Sequence, residues 1–309
     1  MKKKVLITGA CGFIGRNLIP TLCENGYKCV SLDRILFPDK NLCGVESIVG
    51  NFSDVTLLDQ TLPMCDTIIH LASNSIPEWS NNNIEEDVSS NLVGTLRLLN
   101  SAITHSISRF IFISSGGTVY GKTTSYPTSE DVPSHPICSY GIVKNTIEQY
   151  LDLASHMHGI STCSLRLANP YGPFQKWNSA QGVIAVFCHK VLTAQPIDLF
   201  GNGEIKRDFV YIKDVVSAIL SAVNNRDAQG EINIGSGRAT SIGEIVKTLA
   251  KITGVNPLIN RLPARSFDTP VSYLDISKAE KILEWHPETD LLTGVQWTIE
   301  WQKNELINQ

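Results

Sequence analysis

Short apolar runs ending in glycine or turn residues alternate with longer segments whose apolar positions recur every three or four residues. Lys4-Val5-Leu6-Ile7-Thr8 runs straight into glycine-rich sequence, which predicts a buried parallel strand. Ile14 to Cys23 predicts a helix, closed by Asn25-Gly26. Lys28–Asp33, Thr67–Leu71 and Arg109–Ser114 predict further strands. Between the last two, Leu92, Leu96, Leu99 and Ile103 place one helical face within 88–103. A helix over 141–158 and a strand over Thr162–Leu167 continue the alternation. Such alternation predicts an α/β fold, a doubly wound parallel sheet covered on both faces. Beyond about residue 170, Pro170, Gly172, Pro173, Pro196, Gly201 and Gly203 interrupt the pattern. Helical segments return at Asp214–Asn224 and Ser241–Thr253. We therefore divide the chain into a dinucleotide-binding domain over 1–170, to which later segments return, and a smaller mixed α/β substrate-binding lobe over 171–309.

Composition narrows the class of partner. A formal charge of −4 argues against a broad basic face for nucleic acid. The Met-Lys-Lys-Lys opening is followed by only Val5-Leu6-Ile7 before Thr8-Gly9, too short for the apolar region of a signal peptide. No stretch approaches the roughly 18 apolar residues of a membrane span. A cytoplasmic location is expected. The eight cysteines form no Cys-x-x-Cys pair, and His156 and His158 stand two apart, so no metal site is expected.

The first strand leads into Gly9-Ala10-Cys11-Gly12-Phe13-Ile14-Gly15. The first glycine permits a tight turn, the second lets backbone approach a pyrophosphate, and the third lets helix and strand pack closely. The helix N-terminus offers free N–H groups and partial positive charge to the phosphates. Asp33 ends the second strand, where its carboxylate would accept hydrogen bonds from the adenosine ribose. A carboxylate there repels a 2′-phosphate, which favours NAD; Arg34 could instead serve a 2′-phosphate, so NADP stays open. This is the Rossmann arrangement. Downstream, Ser139-Tyr140-Gly141-Ile142-Val143-Lys144 places Tyr140 and Lys144 one helical turn apart on one face. A neighbouring ammonium is expected to depress the Tyr140 pKa, making the phenol usable as an acid or base near neutrality.

These motifs resemble the extended short-chain dehydrogenase/reductase group, in its nucleotide-sugar epimerase/dehydratase family and most of all its UDP-glucose 4-epimerase-like branch. The resemblance runs over nearly the whole chain. It is carried by Thr8-Gly9-x-x-Gly12-x-x-Gly15, Asn51-Phe52-Ser53-Asp54, His70-Leu71-Ala72-Ser73, Asn91-Leu92-Val93-Gly94-Thr95 and Ser114-Ser115-Gly116-Gly117-Thr118-Val119-Tyr120-Gly121. Leu165 to Pro173, Lys206 to Ile212, Trp285-x-Pro287 and Thr298-Ile299-x-Trp301 extend it to the C-terminal end. It implies a cofactor site of Gly9, Cys11, Gly12, Phe13, Ile14, Gly15, Asp33, Arg34, Asp54, Leu71, Ala72 and Asn91, with Tyr140 and Lys144. Tyr140 would be the acid/base, and Lys144 would bind the nicotinamide ribose. Asn169 would hold a substrate phosphate or sugar hydroxyl, and Arg207 and Arg265 would clamp the diphosphate of a nucleotide sugar. Relatives pair through the helices at 88–104 and 141–158, implying a homodimer.

Three departures bear on the reaction. The family places a catalytic Ser or Thr where this chain has Gly116; Ser115 and Thr118 are the hydroxyls within reach, with Thr118 preferred because Gly116-Gly117 is pliable. The lysine that UDP-galactose epimerases often carry after the His70 strand is absent from Ser73-Asn74-Ser75-Ile76-Pro77-Glu78. Gly117-Thr118 stand where a 4,6-dehydratase carries Asp-Glu. The readings that remain are a UDP-hexose 4-epimerase-like enzyme of surface-polysaccharide sugar biosynthesis and a 4-keto-6-deoxysugar reductase, for example one making dTDP-fucose. A third, from another class, is a non-catalytic dinucleotide sensor.

Overall fold

The computed structural model describes residues 4–39, 42–178, 181–264 and 269–307. Strands β1 (Lys4–Thr8), β2 (Lys28–Asp33), β3 (Val45–Val49), β4 (Thr67–His70), β5 (Arg109–Ser115) and β6 (Ser161–Leu167) lie in one sheet. Short strands β7 (Asn169–Tyr171), β8 (Ile197–Phe200), β9 (Lys206–Arg207) and β10 (Phe209–Tyr211) follow. The chain then returns to the main sheet as β11 (Gly230–Ile234). Its order is β11-β6-β5-β4-β1-β2-β3, parallel throughout. Order reverses between β1 and β4, so a crevice opens there at the carboxyl ends of the strands, where such sheets bind ligands.

Helices α1 (Phe13–Glu24), α2 (Val55–Thr61), α3 (Pro77–Asn82), α4 (Ile84–Asp87), α5 (Gly94–Thr104) and α6 (Ser139–His158) belong to this half. A wide π turn over Val88–Val93 joins α4 to α5. In the second half α7 (Val183–Leu192), α9 (Ile242–Thr253) and α11 (Leu291–Ile307) pack around the short strands, while α8 (Ile212–Asn224) and α10 (Ser277–Leu283) lie against the main sheet.

The sheet is buried on both faces. Val5, Ile7, Ile69, Ile111 and Ile113 pack with Leu18, Ile19 and Leu22 of α1 and Val215 and Ile219 of α8. Their neighbours Leu6, Ile68, Phe110 and Phe112 pack on the other side with Leu98, Leu99, Val143, Ile147 and Leu151. Alternate residues of each strand thus serve opposite layers, as strand geometry requires.

Candidate active site

The glycine loop divides its work as its chemistry suggests. Gly9 has φ +69, and a Cβ there would stand 2.7 Å from the Ala72 nitrogen, so the loop sits directly on the Leu71–Ala72 backbone. A Cβ on Gly15 would lie 2.2 Å from the Ala10 carbonyl oxygen, which is why α1 can pack so close to β1. Gly12 is exposed and meets only the Gly9 carbonyl, at 3.1 Å. It begins α1 without a side-chain cap and with no acid in the first turn, leaving that helix end fit for a diphosphate. Phe13 and Ile14 line the adjoining cavity.

Asp33 accepts from the Cys11 N–H at 2.9 Å and the Arg34 N–H at 2.7 Å, one on each carboxylate oxygen. Each oxygen keeps capacity for a ribose hydroxyl. Burial and Asp33 push the Cys11 thiol up to about 11. The Arg34 guanidinium donates to Asn74. Asp54 caps α2, accepting from the Leu57 N–H at 3.3 Å. Asn91 accepts from the Asn74 N–H at 2.9 Å and so shapes the segment after β4.

Behind this wall lies buried His70. Thr95 donates its hydroxyl proton to the Asn91 carbonyl (2.6 Å), so it receives the His70 Nε2–H (2.8 Å). Nδ1 then accepts from the Thr8 hydroxyl at 2.6 Å. This fixes the tautomer through the network. Burial, with Lys144 nearby, pushes His70 down to about 3, so the ring stays neutral.

Tyr140 occupies the first turn of α6, and Lys144 follows one turn later. The Lys144 ammonium lies 5.6 Å from the Tyr140 ring centre and 4.5 Å from that of Phe112. It donates to the Ile113 carbonyl at 2.7 Å. Tyr140 is pushed up to about 12, not down, by burial first and then by Cys138 and Asp87. Burial also brings Lys144 down to about 8, against the opposing pull of Glu148 and Asp87. Desolvation disfavours both charged forms and outweighs the pairing that sequence spacing alone suggests.

The Gly116 departure has a steric basis. A Cβ at this position would approach the Leu274 side chain to 2.6 Å and the Arg166 carbonyl oxygen to 3.2 Å. Thr118 Oγ1 is buried without a hydrogen-bond partner among the described residues, while Thr118 lines the same cavity as Tyr140 and Ser115. An orphaned hydroxyl there is a feature that a bound polar group would satisfy.

The cavity has a volume of about 660 Å³ and runs from Phe13, Thr118 and Tyr140 past Asn169 to Arg207, Phe200 and Lys190. Asn169 Nδ2 donates to the Asp208 carbonyl at 2.8 Å. Arg207 donates to the carbonyls of Lys206 (2.9 Å) and Thr269 (2.7 Å). Arg265 lies outside the described residues.

Three buried acids to which the motifs assign no role complete the surroundings of the site. Asp208 is buried and accepts from Ser236 and from the Gly237 and Leu274 N–H groups, tying β10 to the strand ends. Asp87 is buried beside α6, and Glu148 pairs with Arg166 beneath Lys144. Asp87 precedes Asn91 by four residues and Glu148 follows Lys144 by four, so helical spacing was the available signal.

The model of the NAD dependent epimerase/dehydratase family matches residues 5–235. The UDP-glucose 4-epimerase of Mycolicibacterium smegmatis is 32% identical over 312 residues, spanning 98% of this chain and 99% of its own. The dTDP-4-dehydro-6-deoxyglucose reductase of Escherichia coli is 33% identical, over 95% of this chain and 96% of its own. Among solved structures, a Thermotoga maritima UDP-glucose 4-epimerase with UDP-glucose superposes with a TM-score of 0.91 at 33% identity, covering 98% of this chain and 99% of that one.

Proposed function

This chain belongs to the NAD dependent epimerase/dehydratase family, and on that premise we propose that it is a UDP-hexose 4-epimerase in which Tyr140 takes and returns the proton of the 4-hydroxyl. The observation that carries the reading is the convergence of three groups in one crevice. The open N-terminus of α1, the Tyr140–Lys144 turn and the orphaned Thr118 hydroxyl all meet the carboxyl edge of the sheet.

Bound NAD supplies the centre that takes up and returns hydrogen at the sugar carbon. The α1 N-terminus would hold its diphosphate, and Asp33 its adenosine ribose. Cys11, Phe13 and Ile14 of the loop, Asp54, Leu71, Ala72 and Asn91 complete the cofactor wall in this assignment. Arg34 is drawn toward Asn74, which supports NAD over NADP. Tyr140 then removes the proton of the 4-hydroxyl and later returns one to the 4-keto oxygen. The oxidised nicotinamide carries positive charge, which would counter the burial that raises this phenol. Lys144 holds the nicotinamide ribose. Thr118, with Ser115 behind it, hydrogen-bonds the C4 oxygen, and Asn169, Arg207 and Arg265 bind the diphosphate side of the substrate.

Incubating the purified protein with UDP-glucose or UDP-galactose, no cofactor added, should give the same equilibrium mixture from either side. Absence of interconversion across a panel of UDP-hexoses would remove the epimerase reading. The alternative is a 4-keto reductase, favoured by Gly116 and by the likeness to the Escherichia coli reductase. Stoichiometric oxidation of added NADH by dTDP-4-keto-6-deoxyglucose would select it. Thr118→Val should lower kcat by about tenfold to a hundredfold at unchanged fold, and an unaltered kcat would transfer the role to Ser115.

We also assign a homodimer. Ile142, Tyr150, Leu153 and Met157 form an exposed apolar stripe on α6, and Val93 is exposed beside it on the π turn. Leu153→Asp should yield a monomer in sedimentation; a monomeric wild type would refute the assignment. The eight free thiols suit a reducing cytoplasm, and among the described residues no helix is long and apolar enough to cross a membrane. Surface-polysaccharide assembly is the pathway we assign to the product. Unchanged surface polysaccharide in a deletion strain would contradict it.

A further inference from the structure

The helix that carries Tyr140 is capped from outside itself. Cys138, at its N-cap, offers the helix only a thiol, which faces the Gly141 N–H. The Ser139 N–H instead donates to Asn81 Oδ1 at 2.9 Å, and the Tyr140 N–H to Ser80 Oγ at 3.0 Å. Ser80 passes its own proton to the Pro77 carbonyl. The Ser139 hydroxyl donates to Asp87 Oδ2 at 2.7 Å. Three donors at the head of α6 are thus satisfied by residues from a single short segment, 80–87.

Asp87 has a second attachment. Its Oδ1 accepts from Ser75 Oγ at 2.7 Å and from Asn91 Nδ2 at 2.9 Å. Asn91 Nδ2 also reaches Ser75 Oγ at 3.1 Å, while its oxygen holds the Asn74 N–H. Asp87 is fully buried. Its two oxygens therefore face two different parts of the site, the segment after β4 and the first turn of α6. A buried carboxyl with all three neighbours donating to it resists displacement, since breaking any contact strands a polar group.

We propose that Asp87 is a positioning residue of this site, its carboxyl locking the cofactor wall at Asn74–Ser75 and Asn91 to the α6 turn that presents Tyr140. The proposal rests on the reading of Tyr140 as the proton-transfer group. Asp87 touches neither sugar nor cofactor in this scheme; it acts through Ser139 and Asn91.

It also acts through its charge, because a carboxylate near a phenol disfavours phenolate. The groups around Tyr140 leave Asp87 as the carboxylate that acts there, after the Cys138 thiol. On α6 itself stand Cys138 and Lys144, with Glu148 one turn further on and engaged with Arg166 of β6. From β4 comes neutral His70. Glu78 of α3, Glu85 and Glu86 of α4 and Arg97 of α5 are exposed. Asp152 and Glu231 of β11 interact with each other about three turns along the helix.

Asp87→Asn and Asp87→Ala, each in the NAD-loaded full-length protein, test this. Asparagine keeps an acceptor for Ser75 and Asn91 and offers its amide to the Ser139 hydroxyl, so it removes charge while retaining shape. Titrating phenolate absorbance, with Tyr140→Phe as the subtraction control, should show Tyr140 ionising about half a pH unit lower in Asp87→Asn. Asp87→Ala, which frees the α6 turn, should lose about 10²-fold in kcat while KM for the nucleotide sugar holds. A merely structural residue would lower the melting temperature in both variants and leave titration and kcat of the folded enzyme where they were. An unshifted titration in Asp87→Asn overturns the proposal, as does an unchanged kcat in Asp87→Ala. The titration needs no turnover. If the wild type acts on no nucleotide sugar, the functional reading fails separately and the Asp87 question is still answered.

Discussion

Tyr140→Phe should lower kcat by about 10³-fold, within the range that general acid–base catalysis contributes, and leave NAD affinity close to that of the wild type. The substitution deletes one oxygen from a half-buried side chain and keeps the ring, whose backbone N–H remains capped by Ser80. Nothing in the glycine loop or around Asp33 depends on that oxygen. Loss of turnover together with loss of NAD would point to a structural role for the phenol. Survival of turnover would remove Tyr140 from the chemistry. The wild-type pH profile carries a related expectation. Burial raises this phenol to about 12 in the chain alone, so the proton leaves near neutrality only when positive charge beyond that of Lys144 stands beside it. Phenolate should therefore appear at lower pH in protein loaded with oxidised NAD than with NADH.

Glu148→Ala should be the most destabilising change near the site, by on the order of 3–5 kcal/mol, the usual cost of stranding one member of a buried ion pair. Arg166 reaches Glu148 through Nε at 3.1 Å and Nη2 at 2.8 Å, and its guanidinium lies 4.9 Å from the centre of the Tyr120 ring. Both partners are buried, the carboxylate almost completely. Removing the acid leaves an arginine that cannot neutralise itself, with the neutral hydroxyls of Ser134 and Tyr120 as remaining partners among the described residues. Urea denaturation measures the effect, and Glu148→Gln should lose less because it retains an acceptor. A loss under about 1 kcal/mol, typical of exposed pairs, would mean that water reaches Arg166.

Much of this architecture was legible because it is local. The run from Lys4 through Gly15, the acid at Asp33 and the Tyr140–Lys144 turn are continuous segments whose geometry follows from spacing, and the structure reproduces each element to within a few residues. What was hidden is non-local. Gly116 makes sense only once Leu274, far along the chain, is seen to fill the space a side chain would need. The 77–93 segment is rich in asparagine and serine and has weak periodicity; its short helices and π turn exist because they cap α6 and meet Asn91. Strand β3 has largely exposed side chains and little apolar pattern, so the sequence alone does not reveal it. The short strands of the second half, two to four residues each, leave no period to detect. The Tyr140 pKa is likewise set by non-local surroundings. Spacing reveals the ammonium but not the burial around it.

The central claim is that hydrogen removed from C4 of a UDP-hexose returns to C4 on the same sugar. UDP-glucose deuterated at C4, incubated with the purified protein and excess unlabelled NADH, tests this directly. We expect UDP-galactose that retains its deuterium at C4, with no net consumption of NADH. Product lacking the label, or no product unless NADH is consumed, would contradict the account.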